Sequence, residues 1–533
     1  MELLKSLLEP LIIIFVVLIV YWRTFDFKTI IDDVKRFASI RKGLFFRPRP
    51  WLEQVKNRLY SGGTFVIAKP CKECKGTGKI PKPKTKEVVD DTCPNCYGHG
   101  KYHDLNYKVE HIATTLIHAL ICVLIYFAFG KNETAFMASC LYAVNPANNQ
   151  SSVWLNGRRY AFNIVIVLLM LIIGPLGMLL YPMTAILQVS AILAPLMYGE
   201  YLTLPIAGMC LLAIAVFVFL SWEDIKEKIL WRWKLMPECD HKKLHIAKLI
   251  PTTKVYGAYI LKMIFPERTL MTYPFLYYWA LTKEGDKNAY RIDRHFIWGI
   301  VCVAFSVAGL KFFEGQTWWL FLFMCLSIVQ WCGFITLNQI FADRYIPLPN
   351  VFMMMFVSWF TVHYGGDFKY AIFFGMFIYY MQNLNITFMM YKDVESFWNY
   401  HAYYNPQDSR IAEWRATYLL SVKDISGAWE ICRTALANNP TDMKLNMMAA
   451  KCMRLSDDTA TFYYMGMAKK HCYIGRMDDM YKGFQREIFG FDIDEEYEKI
   501  NNKTSRMLPK QRESVKDMWH AINDNPNVWG GEA

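Results

Sequence analysis

Charge is scarce in this chain. Only 20% of its 533 residues are charged, against about 25% in ordinary soluble domains, which argues against a protein that keeps its whole surface in water. Base-stacking context and any nucleic-acid motif are missing too. The formal charge of +12 is spread through loops, so anionic lipid and phosphate groups, and not nucleic acid, are the expected partners of the basic residues. What is present is apolar: 54% of the residues are hydrophobic and 16% aromatic, arranged in long runs. That is the composition of a membrane protein.

The run from Pro10 to Trp22, flanked by Lys5 and Arg23, reads as a signal anchor and not as a cleaved signal. Further spans are expected at 112–129, 134–147, 160–181, 183–200, 202–221, 296–313, 317–338, 350–364 and 369–390, roughly ten in all by the hydropathy criterion. Segments near 142–160 and 250–281 read as re-entrant or interfacial. After Tyr391 the chain becomes charged and helix-rich, as a soluble tail does.

Fourteen cysteines are present. Cys122, Cys302 and Cys325 lie inside apolar runs and read as small core residues. Four others form two matching units, Cys71-Lys-Glu-Cys74-Lys-Gly76-Thr-Gly78 and Cys93-Pro-Asn-Cys96-Tyr-Gly98-His-Gly100. The stretch from Lys75 to Thr92 that separates them has a length ordinary for a paired CxxC zinc site. Each unit presents two thiolates on a tight turn that its glycines permit, and two units complete a tetrahedral shell for one structural zinc ion. A pair of disulfides is the alternative if the loop faces an oxidising compartment. The units resemble the cysteine-rich zinc domain of DnaJ-type chaperones, which carries four of them. Two suffice for one metal ion, and the His-Pro-Asp triplet of a J-domain is absent.

In the tail, Asn405-Pro406 recurs as Asn439-Pro440, with Ala416, Ala428 and Ala435 between. The spacing equals the tetratricopeptide period of about 34 residues. Small residues let two antiparallel helices pack closely and the proline ends the second, as in a tetratricopeptide unit. A second, degenerate unit is expected over 441–474, built on Ala450, with a capping helix and a frayed end after it.

Polar residues cluster at membrane depth around the first spans. Asp32 and Asp33 follow the first span; then come Arg47-Pro48 and Asn57, and beyond the cysteine insert His111-x-x-Thr114-x-x-x-His118. Asn145-Pro146 and Val153-Trp154-Leu-Asn-Gly157-Arg158 follow. Ionisable residues are costly to hold there and are usually functional.

The order of these motifs resembles the polytopic O-mannosyltransferases with C-terminal tetratricopeptide repeats, members of the GT-C class of lipid-dependent glycosyltransferases. The likeness covers residues 10–160 and 250–475 and continues with Asp343-Arg344-Tyr345-Ile-Pro-Leu348-Pro349-Asn350 and Tyr391-Lys-Asp393-Val-Glu395-Ser-Phe-Trp398. It implies a mainly α fold: a polytopic helical membrane domain with a small zinc-knuckle insert and a tetratricopeptide-like C-terminal domain. The expected organisation is a first span and start of an external loop (1–69), the knuckle (70–101), the membrane domain (102–391), the repeats (392–475) and a helical cap and tail (476–533).

The resemblance also implies a chemistry. One of Asp32 and Asp33 takes the proton from an acceptor hydroxyl, which attacks the anomeric carbon of a polyprenyl-phosphate sugar, mannose-like in this family. Arg47, Arg158 and Arg344, with His111 and His118, are the expected ligands of the leaving phosphate. A protein hydroxyl is the expected acceptor, held by the knuckle and the repeats. The chain departs from the family pattern at four positions, where Asn145, Asn148, Gln150 and Tyr160 stand in place of ionisable groups. A second function is therefore weighed beside the first: an inactive relative serving as a membrane scaffold that recruits protein partners through the knuckle and the tail.

The expected membrane is that of the endoplasmic reticulum or the bacterial inner membrane, with the first loop and the tail on the lumenal or periplasmic side. Residues 23–110 carry 19 Lys and Arg against 10 Asp and Glu, which favours the cytosolic side. The positive-inside rule loses force in loops beyond about 60 residues, and this one is longer.

Overall fold

The computed structural model describes residues 2–27, 66–70, 75, 101–187, 193–201, 203–235, 249–267, 292–332, 342–404, 409–454, 458–470, 475–502, 507 and 509–523. It is mainly α-helical, with one two-stranded antiparallel ladder, and divides into two compact units: the first holds the described residues up to 230 and from 249 to 397, the second 231–235 and those from 398 onward.

The first unit opens with α1 (Glu2–Tyr21), continued by a 3-10 turn over Trp22–Asp26. Strands β1 (Val66–Pro70) and β2 (Lys101–Leu105) pair in antiparallel register, Pro70 opposite Lys101. The cysteine-rich segment 71–100 is therefore closed at its base by a ladder. Asn106 follows directly and caps α2 (Tyr107–Ala128), its side chain accepting from Val109 N at 3.3 Å. Helix α3 (Glu133–Val144), capped by Asn132, is buried along almost its whole length. Its 12 residues rise about 18 Å at 1.5 Å each, short of the roughly 30 Å hydrocarbon core. The span expected at 134–147 is thus too short to cross by itself, because Asn145-Pro146 stops it.

Helix α4 (Arg158–Ile173) runs through a 3-10 segment, Gly174–Leu180, into α5 (Tyr181–Leu187). Gly174, at φ 74, occupies the left-handed region that lets the backbone change helical type. The span expected at 183–200 meets the end of α5 and a 3-10 helix over Ala194–Tyr201, with Pro195 near its start, in place of one continuous α-helix. The helices that follow are α6 (Leu204–Leu235), α7 (Leu249–Ile264), α8 (Arg294–Phe312), α9 (Gly315–Val329), α10 (Pro347–Tyr364) and α11 (Lys369–Tyr391).

Among the described residues four helices are long and apolar enough to cross a membrane: Leu7–Asp26, Tyr107–Ala128, Arg158–Thr184 and Arg294–Phe312. Large apolar side chains stand exposed along the first and last of these, including Leu11, Phe15 and Ile19 on α1 and Ile297, Val301 and Phe305 on α8. Such stripes suit hydrocarbon and not water. Helices α7 and α8 approach through glycines, where a Cβ added to Gly257 would lie 2.5 Å from the Gly299 Cα. Close backbone contact between small residues is how helices associate in lipid, where apolar burial supplies no drive.

The second unit is built of helix pairs. Helix α12 (Val394–Tyr404) starts at Asp393, whose side chain accepts from Ser396 N at 2.8 Å. Then come α13 (Ser409–Ser421), α14 (Ile425–Asn438), α15 (Met443–Met453), α16 (Asp458–Lys470), α17 (Gly475–Phe489), α18 (Ile493–Asn501) and α19 (Pro509–Asn523). Alternate helices begin at Ser409, Met443, Gly475 and Pro509, a recurrence of about 34 residues. One apolar cluster joins Ala412, Ala416, Ala428, Cys432, Leu436, Leu445, Ala449 and Cys452. A second draws Met443, Met447, Met465, Tyr481 and Phe484 together with Ile522 of α19. Where one capping helix was expected after 475, three helices stand. Their apolar residues are few and widely spaced along polar sequence, and only packing against the second cluster shows that they share a core.

Candidate functional site

The polar residues that the sequence scatters along the chain meet where α2 and α4 begin. Glu110, Thr114 and His118 recur every fourth residue of α2, so a single helix face carries all three inward. Thr114 and Glu110 are fully buried, and His111 and His118 nearly so. Against this face lies Arg158, the first residue of α4, only 2% exposed. Its Nη2 lies 2.7 Å from Glu110 Oε2 as an ion pair and donates to the Glu110 carbonyl at 2.7 Å and to Thr114 Oγ1 at 2.8 Å, and its Nε donates to the same hydroxyl at 3.1 Å. A guanidinium buried with this many acceptors is fully compensated.

The loop before Arg158 is shaped by Gly157. A Cβ there would stand 1.6 Å from the Gln150 carbonyl oxygen, so only glycine lets residues 150 and 157 come this close. The turn is tied to the later motif. Gln150 Oε1 accepts from Arg344 N at 3.0 Å, and Asn350 Nδ2 donates to Asn148 Oδ1 at 2.9 Å. Asn148 Nδ2 donates to the Tyr142 carbonyl and Asn145 Nδ2 to the Met263 carbonyl, both at 2.8 Å. The segments 145–158 and 343–350, far apart in sequence, are thus one hydrogen-bonded structure. Tyr160, the fourth departure from the family pattern, is buried and accepts from Arg159 Nη2 at 3.2 Å.

Arg344 is half-buried, its guanidinium carbon 5.1 Å from the Tyr345 ring centroid and its Nη2 3.3 Å from the Tyr345 hydroxyl. Tyr345 in turn stacks on Trp331, centroids 4.0 Å apart. Beside Arg344, Asp343 is fully buried and lies 3.1 Å from Lys262 Nζ. Burial pushes the Asp343 carboxyl up to about 6 although the ammonium pulls the other way; desolvation exceeds the Coulombic gain.

The two histidines differ. His118 sits between Tyr21 and Tyr142, ring centroids 5.0 and 5.7 Å away, with Nε2 3.1 Å from the Ala143 carbonyl, which also accepts from the Tyr21 hydroxyl at 3.2 Å. It is enclosed in the packing of α1 against α3. His111 meets Phe27 edge-on at 6.3 Å, and its Nε2 has no hydrogen-bond partner. Both amide atoms of Asn149 and the Trp154 Nε1 are buried without partners as well. Each such group costs about 1–3 kcal/mol unless something bonds to it.

Asp32, Asp33 and Arg47 lie outside the described residues, as do Cys71, Cys74, Cys93 and Cys96. The described Lys75, directly after Cys74, has φ 48, in the left-handed region. Among the described residues no group of three or more His, Cys, Asp or Glu is arranged to hold a metal ion. Sequence reasoning passed over Glu110 and Lys262. Glu110 adjoins His111 and stands one turn before Thr114, a spacing that marks it as part of the same face. Lys262 has no local signal, because its partner Asp343 lies in a different motif far along the chain.

Set against models of protein families, proteins of curated function and solved structures, the chain matches none.

Proposed function

We propose that the protein is an integral-membrane glycosyltransferase that moves a mannose-like sugar from a polyprenyl-phosphate carrier to a hydroxyl on a protein. The observation that carries this reading is the convergence of the motif segments: Arg158 on Thr114 and Glu110, Gln150 on Arg344, and Asn148 on Asn350. The motif segments that resemble a glycosyltransferase class are here bonded to one another in pairs, and the nearby sequence carries buried groups without partners at His111, Asn149 and Trp154. These neutral groups suit sugar hydroxyls, each of which both donates and accepts.

In this reading Asp32 or Asp33, shortly after Phe27 in the chain, is the base. It takes the acceptor's proton as the oxygen forms its bond to the anomeric carbon and the carbon–phosphate oxygen bond breaks. Arg344 and Arg47 meet the leaving phosphate. Arg158 already has Glu110 as its counterion, so its part is to hold the heads of α2 and α4 together. His111 Nε2 can accept from a sugar hydroxyl, and His118 keeps α1 in register. The zinc knuckle and the tetratricopeptide-like tail hold the acceptor, in a chain of about ten spans by hydropathy.

The alternative is an inactive scaffold. It is favoured by the hydrogen bonding of Asn145, Asn148 and Gln150, whose side chains are committed to protein partners where the resembled family has titratable groups. Purified protein in liposomes with polyprenyl-phosphate mannose and a Ser/Thr-rich acceptor peptide separates the two readings. Transfer that Asp32→Asn, or the double change with Asp33→Asn, lowers at least about 100-fold supports the enzyme. No transfer by the unsubstituted chain from any polyprenyl-phosphate donor, or transfer unaffected by both changes, leaves the scaffold.

A further inference from the structure

We propose that Cys432 and Cys452 are a disulfide-forming pair that covalently ties α14 to α15 under oxidising conditions. Cys432 lies midway along α14 and Cys452 near the end of α15, and both belong to the one apolar cluster. They are 0% and 1% exposed, and their thiols are hydrogen-bonded to each other. A small buried cysteine can simply fill space. Two that face each other from consecutive helices, among Ala416, Ala428 and Ala449, also have the proximity a cross-link needs and small neighbours that let the sulfurs close.

The two thiols are not equivalent. The hydrogen bond from Cys432 holds the Cys452 thiol below its ordinary range, helped by the adjacent Lys451, whereas donating that bond and being buried push Cys432 up. Cys452 is therefore the attacking thiolate. It displaces one thiolate from a small disulfide such as oxidised glutathione and forms a mixed disulfide. Cys432 then loses its proton to solvent and attacks the Cys452 sulfur, releasing the second thiolate. Two thiols are oxidised and one glutathione disulfide is reduced. The bond closes a loop of about 20 residues and so restricts the unfolded tail.

Closure in the cell rests on the lumenal or periplasmic placement of the tail; closure in solution does not. The full-length protein, purified reduced in detergent, is incubated with oxidised glutathione with and without sub-denaturing urea, so that burial cannot block exchange. It is then alkylated and digested without reduction. The expected product is a peptide pair joined through Cys432 and Cys452, two hydrogens lighter than its parts, with a raised unfolding midpoint for the tail that reductant reverses. Cys452→Ser removes both signals. If both thiols remain alkylatable in urea, or if Cys452 joins Cys472 instead, the pair is overturned. Alkylation in native membranes addresses the other premise: thiols free there but joined by glutathione overturn the outward placement and uphold the pair.

Discussion

Arg158 shows what one side chain does when it is buried with its charge. Its guanidinium is nearly inaccessible and lies 2.7 Å from the Glu110 carboxylate. Removing one partner of such a pair leaves an uncompensated buried charge. Glu110→Ala is therefore expected to destabilise the membrane unit by about 3–5 kcal/mol, and Arg158→Met on the Glu110→Ala background to restore most of it. Thermal unfolding in detergent, followed by a fluorophore reporting buried thiols, measures both. An unchanged midpoint for Glu110→Ala would show that the pair is not what holds α2 to α4. Gly157 works at the same scale with no side chain: its missing Cβ is what lets the Gln150 carbonyl approach.

At the scale of elements, the β1–β2 ladder brackets the cysteine-bearing stretch of the sequence. Pro70 opposite Lys101 brings the two ends of the cysteine segment together, and β2 leads through Asn106 straight into α2. With zinc on its four cysteines, as proposed, so short a segment is expected to depend on the ion for its fold. Elemental analysis is expected to give one zinc per chain. Cys74→Ser is expected to lose the metal and leave the membrane unit's unfolding midpoint where it was. Protein without zinc whose free-thiol count is four short would mean two disulfides in its place.

At the scale of the whole molecule, the sidedness of the first loop and the tail decides the working compartment. Single cysteines introduced by Lys86→Cys in the first loop and by Val422→Cys, 53% exposed at the end of α13, are expected to react with an impermeant maleimide from the same side of sealed vesicles. Reaction from opposite sides would contradict the shared outward placement and with it the acceptor-holding role of the tail.

The sequence by itself determined the class of the molecule: a mainly α chain with apolar helices long enough to cross a membrane, a helical tail beyond Tyr391, and a recurrence of about 34 residues in that tail. These are local quantities, fixed by runs of apolar residues and by spacing, and they survive without knowledge of neighbours. It also picked out Arg158, Arg344, Asn148 and Asn350 as belonging to motifs. Only the tertiary structure decided what those residues touch. That Arg158 has Glu110 as counterion, that Lys262 pairs with Asp343, that His118 is packing and His111 has an unpartnered nitrogen, and that α3 is too short to cross were all decided by the folded chain. Most of these depend on contacts between segments far apart in sequence. Pairing energies of that kind are set by burial and distance in space, and a one-dimensional pattern does not contain them.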